Sequence, residues 1–162
     1  MERLWAPWRM EWIGNSEVPD EGCILCGIPA DGHPQSQHVV ERAATTYTVL
    51  NRYPYSSGHL MVVPHRHAAH VTDLPDEEAA ALMHGAQRAV RALEASLQPQ
   101  GFNLGINHGR GAGAGIDEHV HLHVVPRWNG DTNFMPVLAD IHVIPEALVR
   151  TAERIRSGYA TL

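Results

Sequence analysis

His119-Val120-His121-Leu122-His123-Val124-Val125 is the stretch from which this chain is best understood. In an extended strand successive side chains alternate faces, so the three imidazoles share one face at intervals of roughly 6.5 to 7 Å. Val120, Leu122 and Val124 share the other face. One face carries chemistry and the other is core. Accidental alternation is the competing explanation in a chain with 12 histidines, as many as its lysines and arginines together. The wholly apolar reverse face and a glycine-rich run just upstream argue against accident.

That run is Gly109-Arg110-Gly111-Ala112-Gly113-Ala114-Gly115. Glycines let the backbone approach a ligand closely, and consecutive N–H groups then make an anion cradle. It is neither a dinucleotide fingerprint nor a P-loop, because those open a helix, whereas this run feeds a strand and has no Gly-Lys-Ser/Thr. Phosphate beside three aligned imidazoles suggests phosphorus chemistry. An imidazole with an ordinary pKa of ~6.5 is largely neutral at cellular pH and attacks phosphorus without a separate base. His121, at the centre, is the candidate nucleophile, and His123 is placed to donate to phosphate oxygens. Amides near Gly113 would stabilise the equatorial oxygens of the transition state. The expected intermediate is a phosphoramidate on His121, broken by water or inorganic phosphate.

Working outward, alternating or β-rich runs predict strands at 38–41, 45–51, 59–63, 102–107 and 119–125. Between the third and fourth, Leu82, Ala86, Ala89, Val90, Leu93 and Leu97 recur at helical spacing and predict a long helix over 76–97. Asp73 and Pro75 signal its start, Pro99 and Gly101 its stop. A shorter helix is expected after Pro145, to about Arg156. The order of segments favours an α+β fold with an antiparallel sheet of about five strands, one long helix and a shorter C-terminal helix. A single domain over 1–162 is expected, with an N-terminal arm 1–22 and a C-terminal tail 127–162.

The composition, 44% hydrophobic and 19% charged, is that of a globular protein. A formal net charge of −6 speaks against a nucleic-acid polymer as partner, since phosphate backbones are bound by clustered Lys and Arg. A small phosphorylated ligand needs only one local pocket. Met1–Trp12 holds three Trp and two Arg but no apolar run of signal-peptide length, and no later segment reads as membrane-spanning. The expectation is a cytoplasmic protein with no membrane partner, in which Cys23 and Cys26 are thiols or metal ligands. Their C-x₂-C spacing lets two thiolates share one tetrahedral metal.

The His-x-His-x-His-x-x strand resembles the signature of the histidine triad superfamily. Asn51-Arg52-Tyr53-Pro54 followed by Gly58-His59-Leu60-Met61-Val62-Val63-Pro64 resembles that family's ribose-contacting strand and its hairpin partner. The resemblance implies a histidine triad fold. It also implies ribose binding by Asn51, a buttress at His59, phosphate contacts from Asn107, Gly113, Ala114 and Gly115, and base contacts from Leu25, Ile28 and Val49. Trp5-Ala6-Pro7-Trp8-Arg9, the Ala112–Gly115 loop and the run from Pro126 to Phe134 resemble a bacterial branch containing diadenosine tetraphosphate phosphorylases. That branch implies a dinucleoside polyphosphate substrate and inorganic phosphate as an acceptor beside water. Zinc-bearing members imply a structural zinc on Cys23, Cys26, His67 and His119, with His65 competing for the place of His67. A homodimer is implied as well. The chain departs from the common pattern at Gly115, where many members carry a Ser or Thr hydroxyl that assists the leaving group.

Three other functions compete: a nucleoside phosphoramidase, a nucleotide-binding module without turnover, and a hydrolase using His119, His121 and His123 as ligands of a catalytic zinc. Parallel histidines about 6.5 Å apart suit the last poorly, because one zinc wants every donor at about 2 Å.

Overall fold

The computed structural model describes residues 22–131 and 146–162. The sheet has five strands, β1 (Val39–Arg42), β2 (Thr46–Leu50), β3 (Leu60–Pro64), β4 (Gly101–Ile106) and β5 (Leu122–Arg127). They are ordered β1-β2-β3-β5-β4, and every neighbouring pair is antiparallel. Among the described residues three α-helices accompany it, α1 (Ile24–Gly27), α2 (Asp76–Leu97) and α3 (Leu148–Tyr159). The expected α+β architecture is what forms, and α2 has the bounds that its apolar spacing predicted. The residues 1–21 and 132–145, with Trp5, Trp8, Trp12 and Phe134, lie outside those described.

β1, β2 and β3 form a meander, after which α2 carries the chain across the sheet to its far edge. β4 runs along that edge and β5 returns between β4 and β3, which puts the triad strand in the interior with a partner on each side. Pairing register divides the faces. Leu50, Leu60 and Val124 are successive partners on the rear face and are fully buried. Val62 and Leu122 join them beneath Leu82, Ala86, Ala89 and Leu93 of α2 and Ala152 and Ile155 of α3. Each such buried Leu or Val contributes about 1.5–3 kcal/mol. Helices α2 and α3 cross closely at Gly158, where a Cβ would collide with the Ala92 carbonyl.

The front face follows a second row, Val39, Val49, Met61, His123 and Gly105, one residue from each strand. A separate apolar cluster covers its β1–β3 side: Leu25 and Ile28 lie over Val39, Tyr47, Val49, Met61 and Val63. The Tyr47 hydroxyl donates to the Leu25 carbonyl at 2.5 Å and ties α1 to the sheet. Toward β5 this cover opens.

Candidate active site and metal cluster

Regular pairing of β5 begins at Leu122 rather than at His119, where the strand was expected. Upstream the backbone is held by an isolated bond, Val120 N–H to the Ala68 carbonyl at 2.7 Å. The alternation persists: Val120, Leu122 and Val124 enter the rear core, while His119, His121 and His123 occupy the other side, all buried. The rings are not the parallel ladder that strand geometry predicts. His121 and His123 meet edge to face with centroids 4.7 Å apart, and His119 turns toward the cysteines.

Hydrogen bonds fix which nitrogen of each ring carries its proton. His121 Nδ1–H donates to the His119 carbonyl at 2.8 Å, so the unshared pair resides on Nε2. Burial lowers the pKa of His121 below the usual imidazole value, opposed in part by that carbonyl, and keeps the ring neutral. A second chain begins at a backbone donor. Tyr55 N–H donates to His59 Nδ1 at 3.1 Å, which leaves the His59 proton on Nε2. That proton is donated to His123 Nδ1 at 3.0 Å and in turn places the His123 proton on Nε2. The Asn107 side-chain amide nitrogen Nδ2 lies 3.4 Å from His123 Nε2. Tyr55 stacks on His59 at 4.9 Å and holds the ring in plane. His59, expected as a buttress of the triad, is fully buried and backs His123.

The glycine run forms a 3-10 turn over Arg110–Ala112 that ends at Gly113 in the left-handed region, φ +77°, which glycine adopts without strain. Gly113 and Gly115 line a cleft together with His121 and His123, and Ala114 between them does not. Arg110 Nε donates to Asp117 at 2.6 Å and closes the loop on itself. Leu25 and Ile28 line the cleft as expected, joined by Ile24, Met61 and Ile116, which carry no motif of their own. Val49 is a correction: it is fully buried beneath Leu25 and Ile28 and forms the floor of their cluster rather than a wall. Asn51 reaches the cleft, and its Oδ1 accepts the Tyr53 N–H at 2.9 Å. Gln35, Arg52 and Tyr53 were not singled out from sequence as ligand contacts. A polar residue beside Asn51 or before a strand has no spacing signal to mark it.

Cys23, Cys26, His67 and His119 bring four ligand atoms within 4.8 Å of one another. Cys23 Sγ is 3.3 Å and Cys26 Sγ 3.5 Å from His119 Nδ1, and Cys26 Sγ is 3.4 Å from His67 Nδ1. Tetrahedral zinc bonds of the usual length put sulfur and nitrogen ligands about 3.5 Å apart, so the donors fit one such ion. The other ring nitrogen, His119 Nε2, donates to the Pro64 carbonyl at 3.0 Å, the outer partner that orients a ligating imidazole. Burial lowers the His119 pKa and pushes the Cys23 thiol up to about 11, so thiolate character there depends on a cation. His65, the competitor of His67, is engaged elsewhere: its Nε2 donates to the Ala43 carbonyl at 3.1 Å.

Residues 33–130 match the family model described as the HIT domain. The chain belongs to the HIT family. Over 166 aligned residues it is 40% identical to AP-4-A phosphorylase of Mycobacterium tuberculosis, covering 99% of this chain and 85% of that protein. It is 29% identical over 135 residues to adenosine 5'-monophosphoramidase of Schizosaccharomyces pombe, covering 83% and 96%. In structure it is similar to a Zn-bound histidine triad family protein from Mycobacterium smegmatis, with a TM-score of 0.72, 28% identity and coverage of 86% and 94%. His121 and His123 of the triad, Gly113 and Gly115 of the loop, and Asn51 of this HIT chain thus meet in one cleft. Among the described residues no helix is long and apolar enough to cross a membrane.

Proposed function

We propose that the chain cleaves a dinucleoside polyphosphate through a nucleotidyl intermediate on His121, with inorganic phosphate or water as the second acceptor. The observation that carries this is the His121 ring, tied at Nδ1 to a carbonyl and bordering the cleft beside Gly113 and Gly115. Nε2 attacks the phosphorus next to a nucleoside, the N–P bond forms, and the P–O bond to the remaining polyphosphate breaks. The Nδ1 proton stays on the ring, where the His119 carbonyl spreads the new positive charge. His123 Nε2–H and the loop amides hold the phosphoryl oxygens. A phosphate oxygen then attacks phosphorus, the N–P bond breaks, and neutral His121 returns as the proton of the incoming phosphate is released.

Gly115 favours this substrate class over phosphoramidates and esters. A polyphosphate leaving group is a weak base and departs unprotonated, whereas an amine or alkoxide needs a donor that glycine lacks. The 40% identity to AP-4-A phosphorylase supports the same choice. The test is product analysis on diadenosine tetraphosphate with and without inorganic phosphate. ADP beside ATP, appearing only with phosphate, is expected for phosphorolysis. His121→Ala is expected to lose turnover and the acid-labile nucleotidyl-histidine while still binding nucleotide; full activity in that variant would remove the mechanism.

The donor set suits a structural zinc on Cys23, Cys26, His67 and His119, which supplies no step of the reaction. A homodimer is proposed through the open edge of β4, where Asn103, Leu104 and Gly105 are exposed. Leu104→Asp is then expected to halve the mass found by sedimentation.

A further inference from the structure

We infer that Gln35 reads the 6-amino edge of an adenine base in this cleft. The inference rests on the nucleotide reading above and adds a residue that neither the motif nor the triad identifies.

The sheet gives the direction of the ligand. His123, Met61, Val49 and Val39 are successive partners on β5, β3, β2 and β1. Three strand spacings separate the first from the last, about 14 Å, the scale of a nucleotide from phosphorus to the outer edge of its base. Phosphate chemistry lies at the β5 end, beside Gly113 and Gly115. Asn51 follows β2 and stands between. Gln35 caps the turn Ser36–His38 that leads into β1, so it borders the opposite end of the same cleft. Leu25, Ile28 and Met61 offer the base an apolar bed there.

A base buried on its faces still has polar atoms on its edge, and each one left unpaired costs affinity. Of the side chains at that end, Arg52 can only donate, and its guanidinium lies 5.7 Å over the Tyr53 ring. The carboxamide of Gln35 carries an acceptor and a donor side by side. Its backbone N–H donates to His33 Nδ1 at 3.1 Å, which anchors the residue without using the side chain. Adenine presents an exocyclic N–H₂ donor next to a ring-nitrogen acceptor, the complement of a carboxamide. Oε1 would accept from the 6-amino group and Nε2 would donate to the ring nitrogen.

The experiment compares binding of AMP and of purine riboside 5'-monophosphate, which lacks only the 6-amino group, by calorimetry. The wild-type protein is expected to prefer AMP by about tenfold, the discrimination typical of one well-made bidentate contact. In Gln35→Leu the two ligands should bind within twofold of each other. In Gln35→Glu, which keeps the acceptor but loses the donor, AMP should weaken while purine riboside 5'-monophosphate also falls. Equal wild-type affinities, a preference that survives Gln35→Leu, or one lost in Arg52→Ala but kept in Gln35→Leu would each overturn the assignment. Failure of the two readings is distinguishable. Gln35-dependent discrimination without nucleotidyl-histidine removes the catalytic reading alone, and nucleotidyl-histidine with no discrimination removes this one alone.

Discussion

In the proposed reaction the attacking nitrogen of His121 is chosen by what the other nitrogen does, and the same logic governs His123 at one remove. Because a backbone N–H cannot accept, Tyr55 sets the tautomer of His59 and His59 sets that of His123. His59→Phe keeps the packing against Tyr55 but frees His123 to take either tautomer. It is expected to lower kcat about 10- to 100-fold, the usual cost of losing an outer orienting partner, with KM within about twofold. Steady-state kinetics beside a melting curve checks this, and an unchanged kcat would discard the relay. His38 gives a prediction of another kind. It is 8% exposed, its Nδ1 has no partner among the described residues, and burial followed by the charges of Arg52 and Arg156 lowers its pKa. The folded state therefore binds fewer protons than the unfolded one. Stability from this group is complete above the unfolded value of ~6.5 and is lost as pH falls through the lowered folded pKa. His119 and His121 shift in the same direction, so His38→Phe should shrink the fall in Tm between pH 7 and pH 5 without abolishing it. Calorimetry at both pH values decides, and an unchanged fall would exclude the role.

At the scale of elements, period-2 and period-3.6 patterns made the strands and α2 legible, because each has one face on a single core. Where the backbone is shaped by something other than that core, the pattern misled. The segment 119–121 reads as strand, yet it is held by the Ala68 carbonyl and by contacts of the His119 ring, not by a ladder. Helix α2 ends at Leu97, short of Pro99 and Gly101 as expected, but its cap, Gln98, carries no sequence signal and takes φ +52°, donating its N–H to the Leu93 carbonyl at 3.2 Å. A left-handed cap is ordinarily a glycine position, so a side chain there is strained. Gln98→Gly is expected to add about 0.5–1 kcal/mol, or roughly 1–4 °C in Tm, measured by thermal unfolding. A lower Tm would mean that the Gln98 side chain stabilises the turn. The site was legible in the same uneven way. The histidines, glycines, Asn51 and the C-x₂-C pair announce themselves by type and spacing. Gln35, Met61 and Ile116 do not, because a cleft wall is assembled from separate elements and imposes no period on any one of them. The insertion of β5 between β3 and β4 was equally invisible, since it is a property of pairing and not of either strand.

Across the whole molecule, the four sulfur and nitrogen donors join parts that the sheet alone leaves apart. Cys23 and Cys26 belong to the segment bearing α1, His67 follows β3, and His119 precedes His121, the proposed nucleophile, by two residues. An ion held there would pin the wall made by Ile24, Leu25 and Ile28 to the backbone whose carbonyl orients His121. Bound metal is folding energy when its ligands come together only in the native state, so removing it should act first on the segment with fewest other ties. Segment 22–28 is of that kind, fastened among the described residues by its apolar cluster and the Tyr47 bond. Cys26→Ser, or treatment with a strong chelator, is therefore expected to lower Tm by at least about 5 °C and to raise KM through the loosened wall. His121, still hydrogen-bonded to the His119 carbonyl, should retain most of kcat at saturating substrate. Elemental analysis should find about one zinc per chain in the wild type and little in Cys26→Ser. Abolition of kcat with Tm and KM unchanged would reverse the assignment and make the metal a participant in the chemistry.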